Sequence, residues 1–179
     1  MSTKASHPPM DERHLVTLIT DGDTGLLNGA YFRLRLDEEF KKSWRFQWGY
    51  SLLLVEVDGL AAIEKAEGRN AADATVLDIA GEILTASRDV DLSARLARQR
   101  FAMLLPGTGT DGAVTMVRRV MQAVLEKVED RVSLAVGIST CPQDKLASPD
   151  EFLARAEQAL HMARSQGANQ VVTWNAPAR

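Results

Sequence analysis

The side chains of this sequence with the clearest capacity for chemistry are charged and closely spaced. Arg88 and Asp91 stand three residues apart in Arg88-Asp89-Val90-Asp91, and Arg118 and Arg119 are adjacent. A guanidinium is a planar fork that donates two parallel hydrogen bonds to a phosphate, a carboxylate or a purine edge, while a carboxylate accepts N–H donors. Taken alone, Arg88 and Asp91 are better explained as an exposed ion pair where a helix meets a strand, worth about 0.2–1 kcal/mol. Arg118 and Arg119, taken alone, are the solvated face of a long helix. Cys141 is the only cysteine. It excludes an internal disulfide, fits a reducing cytoplasm, and reads as a small apolar filler at a strand end, because no nearby histidine supplies the base that a thiol nucleophile requires. His7 and His14 lack zinc-ligand spacing.

These side chains need a scaffold, and 179 residues with 45% hydrophobic and 25% charged content suffice for one domain with a full-sized core. The net charge of −3 argues against a general nucleic-acid binder, which needs a strongly basic face. No apolar run is long enough to span a membrane, and the N-terminus has no secretion pattern. Residues 1–13 read as a loose polar tail and 14–175 as the domain. Periodicity predicts a helix over 28–42 with Leu34, Leu36 and Phe40 on its apolar face, and a buried strand over Tyr50–Val57. A short helix follows over 59–67, then a longer one over 70–87 with Val76, Leu77, Ile79, Ala80, Ile83 and Leu84 inward. Leu92–Leu96 and Phe101–Leu105 form a hairpin around 97–100, although the turn lacks the usual Asn-Gly or Gly-Gly signal. A helix over 110–128, a strand over 132–139, a helix opened by Ser148, Pro149 and Glu151 and closed by Gly167, and a strand over 170–174 complete the chain. This order predicts an α/β sandwich, with helices covering a five-stranded, mainly antiparallel sheet. Trp44 and Trp48 are expected to pack across the corner between the first helix and the first strand, with a partner-binding patch as the alternative.

Four stretches, in order, resemble the GGDEF family of diguanylate cyclase domains. Asp21-Gly22-Asp23-Thr24-Gly25-Leu26-Leu27-Asn28 is similar to the family's D-x-L-T-G-L-x-N. Val55-Glu56-Val57-Asp58, followed by Gly68 and Asp73, is similar to the D-x-D-x-F-K segment and its downstream residues. Arg95-Leu96-Ala97-Arg98-Gln99-Arg100-Phe101 sits where R-Y-G-G-D-E-F belongs. Ser133 to Ile138 and Ala156 to Arg164 are similar to S-I-G-I and A-D-x-A-L-Y-x-A-K. The resemblance implies a fold related to the palm of class III nucleotide cyclases, with the signature on the hairpin turn.

It also implies chemistry at that turn. The family joins two GTP molecules with Mg²⁺, a hard ion that takes carboxylate oxygens in tight octahedral geometry. The first ligand position is Glu56 here. The second is Gln99, the neighbouring signature acid is Arg100, and the two glycines are Ala97 and Arg98. A cation ~4 Å from the metal repels each unit of its charge by roughly 4 kcal/mol at an intermediate dielectric. The family lysine after the first strand is Ala61, the guanine-reading asparagine is Glu64, the second guanine-reading acid is kept as Asp73, the phosphate lysine is Arg164, and the arginine beyond it is Ala168. His161 replaces a tyrosine and reads as a packed or edge residue. On these substitutions the chain is expected not to be an enzyme and not to need Mg²⁺ or any other cofactor.

The family's product-inhibition site, R-x-x-D, ends five residues before the signature, and Arg88 and Asp91 stand in that register. The resemblance therefore implies that Arg88 and Asp91 read guanine on both edges, with Arg119, and Arg118 beside it, completing a cyclic di-GMP site. The leading expectation is a cytoplasmic cyclic di-GMP receptor that signals to an unidentified protein partner, with a ligand-bridged homodimer as one form and no nucleic acid or membrane as partner. The alternatives are a nucleotide-independent interaction scaffold, and a regulatory module that holds GTP at Glu56 and Asp73 without turnover.

Overall fold

The computed structural model describes residues 12–141 and 148–174. The elements are α1 (Glu12–Ile19), β1 (Leu27–Asn28), α2 (Gly29–Phe46), β2 (Tyr50–Asp58), α3 (Leu60–Glu67), α4 (Arg69–Ala86), β3 (Leu92–Ala97), β4 (Arg100–Pro106), α5 (Thr110–Lys127), β5 (Ser133–Cys141), α6 (Pro149–Gln166) and β6 (Gln170–Thr173). They build one sheet in the order β1-β3-β4-β2-β5-β6. The sheet has six strands rather than the expected five. The extra strand is the two-residue β1, parallel to β3 and too short to leave a periodic signature. β5 and β6 are also parallel, whereas the four long strands pair antiparallel. Residues 1–11 of the expected tail lie outside the described residues, and residues 12 and 13 already belong to α1.

Strand β2 lies at the centre and is buried along its length except at Asp58. Because successive side chains alternate across a strand, β2 feeds two cores. Leu53, Val55 and Val57 face α3, α4 and α5, together with Val76, Ile79, Ile83, Val117, Val120 and Val124. Tyr50, Leu52 and Leu54 face α2 and α6, against Phe32, Leu36, Phe40, Phe152 and Leu160. α6 begins as its sequence predicts: the Ser148 hydroxyl accepts from Glu151 N–H at 3.1 Å, with Pro149 in the first turn. α6 also lies very close to β5, because Gly137 has no Cβ. A Cβ there would overlap Leu160 N and the Ala156 carbonyl and lie 2.7 Å from Leu160 Cα.

Several core assignments are corrected. Leu77 and Leu84 are exposed, because the inward stripe of α4 is filled by Ala72, Val76, Ile79, Ala80 and Ile83. Leu34 is exposed as well, two residues and so about 200° around α2 from buried Phe32 and Leu36. Trp44 and Trp48 do not pack across the corner; both are exposed. His161 is exposed on α6. Cys141 is fully buried at the end of β5, and burial raises its thiol pKa.

The β3–β4 hairpin positions the chemistry. Its turn is Arg98-Gln99, with Ala97 opposite Arg100 and a register shift between Arg95 and Ala97. Gln99 O accepts from Val57 N–H at 2.8 Å, which ties the turn to the end of β2 and brings Glu56 opposite Arg100. The other end of the hairpin begins at Leu92, directly after Arg88–Asp91.

Candidate functional site

Two sites lie at opposite ends of this hairpin. The first is a groove of about 320 Å³ between the end of α4 and the start of α5, and Arg88, Asp91, Thr108, Asp111, Thr115 and Arg119 are among its lining residues. Arg88 and Asp91 form a reciprocal turn: Asp91 Oδ2 accepts from Arg88 N–H at 2.8 Å, and Asp91 N–H donates to Arg88 O at 2.9 Å. The main chain, not the guanidinium, holds the carboxylate. The Arg88 guanidinium is exposed and makes no ion pair among the described residues, so it remains available to a ligand. Asp91 Oδ1 is buried without a hydrogen-bond partner, an acceptor whose desolvation is uncompensated. Arg119 comes over from α5 and donates to Ala86 O at 3.0 Å, at the carboxyl end of α4 where a cation is favoured.

The second site is a charge network around the turn. Glu56 is the most buried carboxylate in it, its side chain 5% exposed. One oxygen receives Arg100 Nη2 at 2.6 Å, and the other receives Arg164 Nη1 at 3.1 Å. Arg100 reaches Glu157 as well, at 3.1 Å. The hydrogen bond to Glu56 raises the Arg100 pKa against the opposing effect of burial. Arg98 swings the other way, pairing with Glu64 at 2.5 Å and Asp73 at 3.3 Å. Both Glu56 oxygens thus already face guanidinium groups, and Gln99 offers only an amide.

Beside the turn is a cavity of about 570 Å³ lined by Asp21, Asp23, Arg69, Asp73, Arg95 and Arg98, among others. Arg95, 9% exposed, holds Asp21 at 3.2 Å and Asp23 at 3.1 Å. Burial opposes ionisation of Asp21, but hydrogen bonds from the Thr24 hydroxyl and N–H and from Arg95 outweigh it, leaving its pKa below the ordinary value.

A family model described as "Diguanylate cyclase, GGDEF domain" matches residues 18–170. The chain belongs to the GGDEF family. The bifunctional diguanylate cyclase/cyclic di-GMP phosphodiesterase MucR of Pseudomonas aeruginosa is 26% identical over 88% of this chain and 24% of its own length. The chain spans less than half the length of the curated relatives it matches. The coiled coil and GGDEF domain of DgcB from Caulobacter crescentus, a structure in complex with c-di-GMP, shares the fold at a TM-score of 0.81 and 20% identity, covering 90% of this chain and 88% of that one. Diguanylate cyclase SiaD of Pseudomonas aeruginosa, in complex with its activator SiaC, gives a TM-score of 0.78 at 25% identity over 90% and 64%. These relatives correct one expectation. Their names are those of diguanylate cyclases, which points to an enzyme, against the reading of this GGDEF domain as a non-enzyme.

Within this GGDEF domain, the sequence-derived ligand residues separate. Arg88, Asp91 and Arg119 share one groove, but Arg118 lines a different one, with Met121, Gln122, Asn169 and Gln170. Neighbouring helix positions point about 100° apart, and here that rotation places Arg118 at the other groove. Ala97, Arg98, Gln99 and Arg100 stand together with Glu56, and Asp73 joins them through Arg98. Sequence reasoning missed three contributors. Asp111 and Thr115 enter the first groove from the opening turns of α5, and no spacing to Arg88 announces them. Arg95 was visible as the residue two before the signature turn, but its pairing with Asp21 and Asp23 is a contact over more than seventy residues.

Proposed function

We propose that this GGDEF domain works in cyclic di-GMP signalling and holds the dinucleotide in the groove of Arg88, Asp91 and Arg119. The observation that carries this reading is that Arg88 and Arg119, neither committed to a carboxylate among the described residues, line one groove with Asp91. A guanine placed there offers N1–H and N2–H to the carboxylate and O6 and N7 to a guanidinium fork. The second arginine lowers the cost of bringing phosphates near Asp91 and Asp111. The bound dinucleotide either bridges two copies of the domain or changes its contact with a protein partner. A relative such as SiaD, which binds its activator, supports a protein partner in kind.

Isothermal titration with cyclic di-GMP tests the reading. Arg88→Ala is expected to weaken binding by about tenfold to a hundredfold, the equivalent of one charge-assisted interaction of ~1.5–3 kcal/mol. Absence of heat with the intact chain ends the proposal.

A second reading puts GTP at the turn. The 570 Å³ cavity between Asp73, Arg95 and Arg98 and the cyclase names of the relatives favour it. It predicts that GTP raises the melting temperature of the chain, and that Asp73→Ala reduces the rise.

A further inference from the structure

The exposed end of α2 is unused by either site. Five consecutive residues, Trp44, Arg45, Phe46, Gln47 and Trp48, are exposed. Trp44 is 49% exposed, Phe46 52% and Trp48 61%. Two of the three tryptophans of the chain therefore stand in solvent within one turn of a helix end. The tip is held rather than loose. Gln47 caps α2 in the left-handed region at φ 54 and donates to Trp44 O at 2.7 Å, while the buried Ser43 hydroxyl donates to Trp48 O at 2.9 Å. Phe46 and Trp48 stack at 5.3 Å, and the Arg45 guanidinium lies 5.5 Å from the Phe46 ring centre. Lys41 and Lys42 are exposed one turn earlier, and Lys42 pairs with Glu39 at 2.7 Å, whereas Lys41 and Arg45 make no ion pair among the described residues. Two uncommitted cations, Lys41 and Arg45, and three aromatic rings thus share one corner of a chain whose net charge is −3.

We propose that this aromatic and basic tip docks on the surface of an anionic lipid bilayer. Three arguments select that partner. Tryptophan is an amphipathic ring that settles at the headgroup level of a bilayer, and lysine and arginine beside it meet anionic headgroups. Protein interfaces are enriched in Trp, Phe and Arg but depleted in Lys, and here two lysines border the rings. Finally, all five residues of the tip are exposed, and a fluid interface accommodates them without a matching pocket. The contact is peripheral, because no helix among the described residues is long and apolar enough to cross a membrane. This departs from the sequence-based expectation of no membrane partner, which rested on the lack of a spanning segment. The tip lies at the end of the sheet that carries the dinucleotide groove: Gly49 packs against Thr108 and Gly109, and Thr108 lines that groove.

The test is co-sedimentation of the full chain with phosphatidylcholine vesicles and with phosphatidylcholine vesicles containing phosphatidylglycerol. Binding is expected only to the anionic vesicles, falling as salt rises, with a blue shift of tryptophan emission. Lys41→Gln and Arg45→Gln are each expected to weaken it about fivefold, the value of ~1 kcal/mol per basic residue near the surface. Trp44→Ala with Trp48→Ala is expected to abolish co-sedimentation while the urea midpoint stays in place. The proposal is overturned if anionic vesicles bring down no protein, if plain phosphatidylcholine does as well, or if the paired tryptophan variant binds like the parent. Concentration-dependent dimers that vanish in that variant, without vesicle binding, would also overturn it and assign the tip to a second copy of the chain.

Discussion

Gly137→Ala probes the contact on which the second core depends. Ordinary contact of a Cβ begins near 3.4 Å, and the added carbon would sit 2.7 Å from Leu160 Cα and closer still to Leu160 N and Ala156 O. All three are backbone atoms of α6, so no side chain can rotate away. The helix must retreat by about 1 Å, and a gap of that size forfeits roughly a quarter to a half of each dispersion contact across the interface. Phe152, Ala156, Ala159, Leu160 and Ala163 are all buried in that interface. Overpacking costs about 1–3 kcal/mol where side chains can adjust, so about 3 kcal/mol or more is expected here. With a urea m-value of about 2 kcal/mol/M, the midpoint falls by roughly 1.5 M. Gly81→Ala is the control of opposite sign. Gly81 lies in α4 with open space where its Cβ would be, and removing glycine from a helix interior should raise stability by about 0.5–1 kcal/mol. If Gly137→Ala unfolds within about 0.5 kcal/mol of the parent, the close approach of α6 to β5 is wrong, along with the reasoning built on it.

Three further outcomes are expected. Arg100→Ala leaves buried Glu56 with Arg164 alone and should cost about 1–2 kcal/mol in urea unfolding, less than the ~3–5 kcal/mol of a wholly orphaned buried charge. Ser148→Ala removes the cap of α6 and should cost about 1 kcal/mol in the same assay. Asp21→Asn should cost about 1 kcal/mol at neutral pH, the difference between charged and neutral hydrogen bonding. Because the folded-state pKa of Asp21 is lowered from 3.8, its stabilisation is present above that value and is lost as pH falls through the folded value. Parent and variant unfolding curves should therefore converge in acid and separate on return to neutral pH.

The sequence was most legible where periodicity and end signals agreed. Ser148, Pro149 and Gly167 bracket α6 because each satisfies a local backbone requirement that needs no partner elsewhere. Tyr50 to Val57 reads as a central strand because a strand buried on both faces is near-continuously apolar. Leu77 and Leu84 misled because helical spacing gives a stripe but not its width, which α5 sets by covering only part of α4. Trp44 and Trp48 misled because large rings are usually sheltered, and only the path of the chain out of α2 shows that here they are not. At the groove, the register of Arg88 and Asp91 against the hairpin was readable. That Arg119 enters while Arg118 turns away depends on the rotation of α5 about its axis, which adjacent identical residues do not encode.

The two margins of the sheet are unequal to the strands between them. β1 offers two residues and β6 four; the nine-residue β2 is paired along both sides, and β5 pairs with β6 over Ala135–Ile138. A foreign strand seeking main-chain partners would find only a brief stretch of unpaired amides at either border before the ladder ran out. Short edge strands of this kind shift the burden of any association from the main chain to side chains.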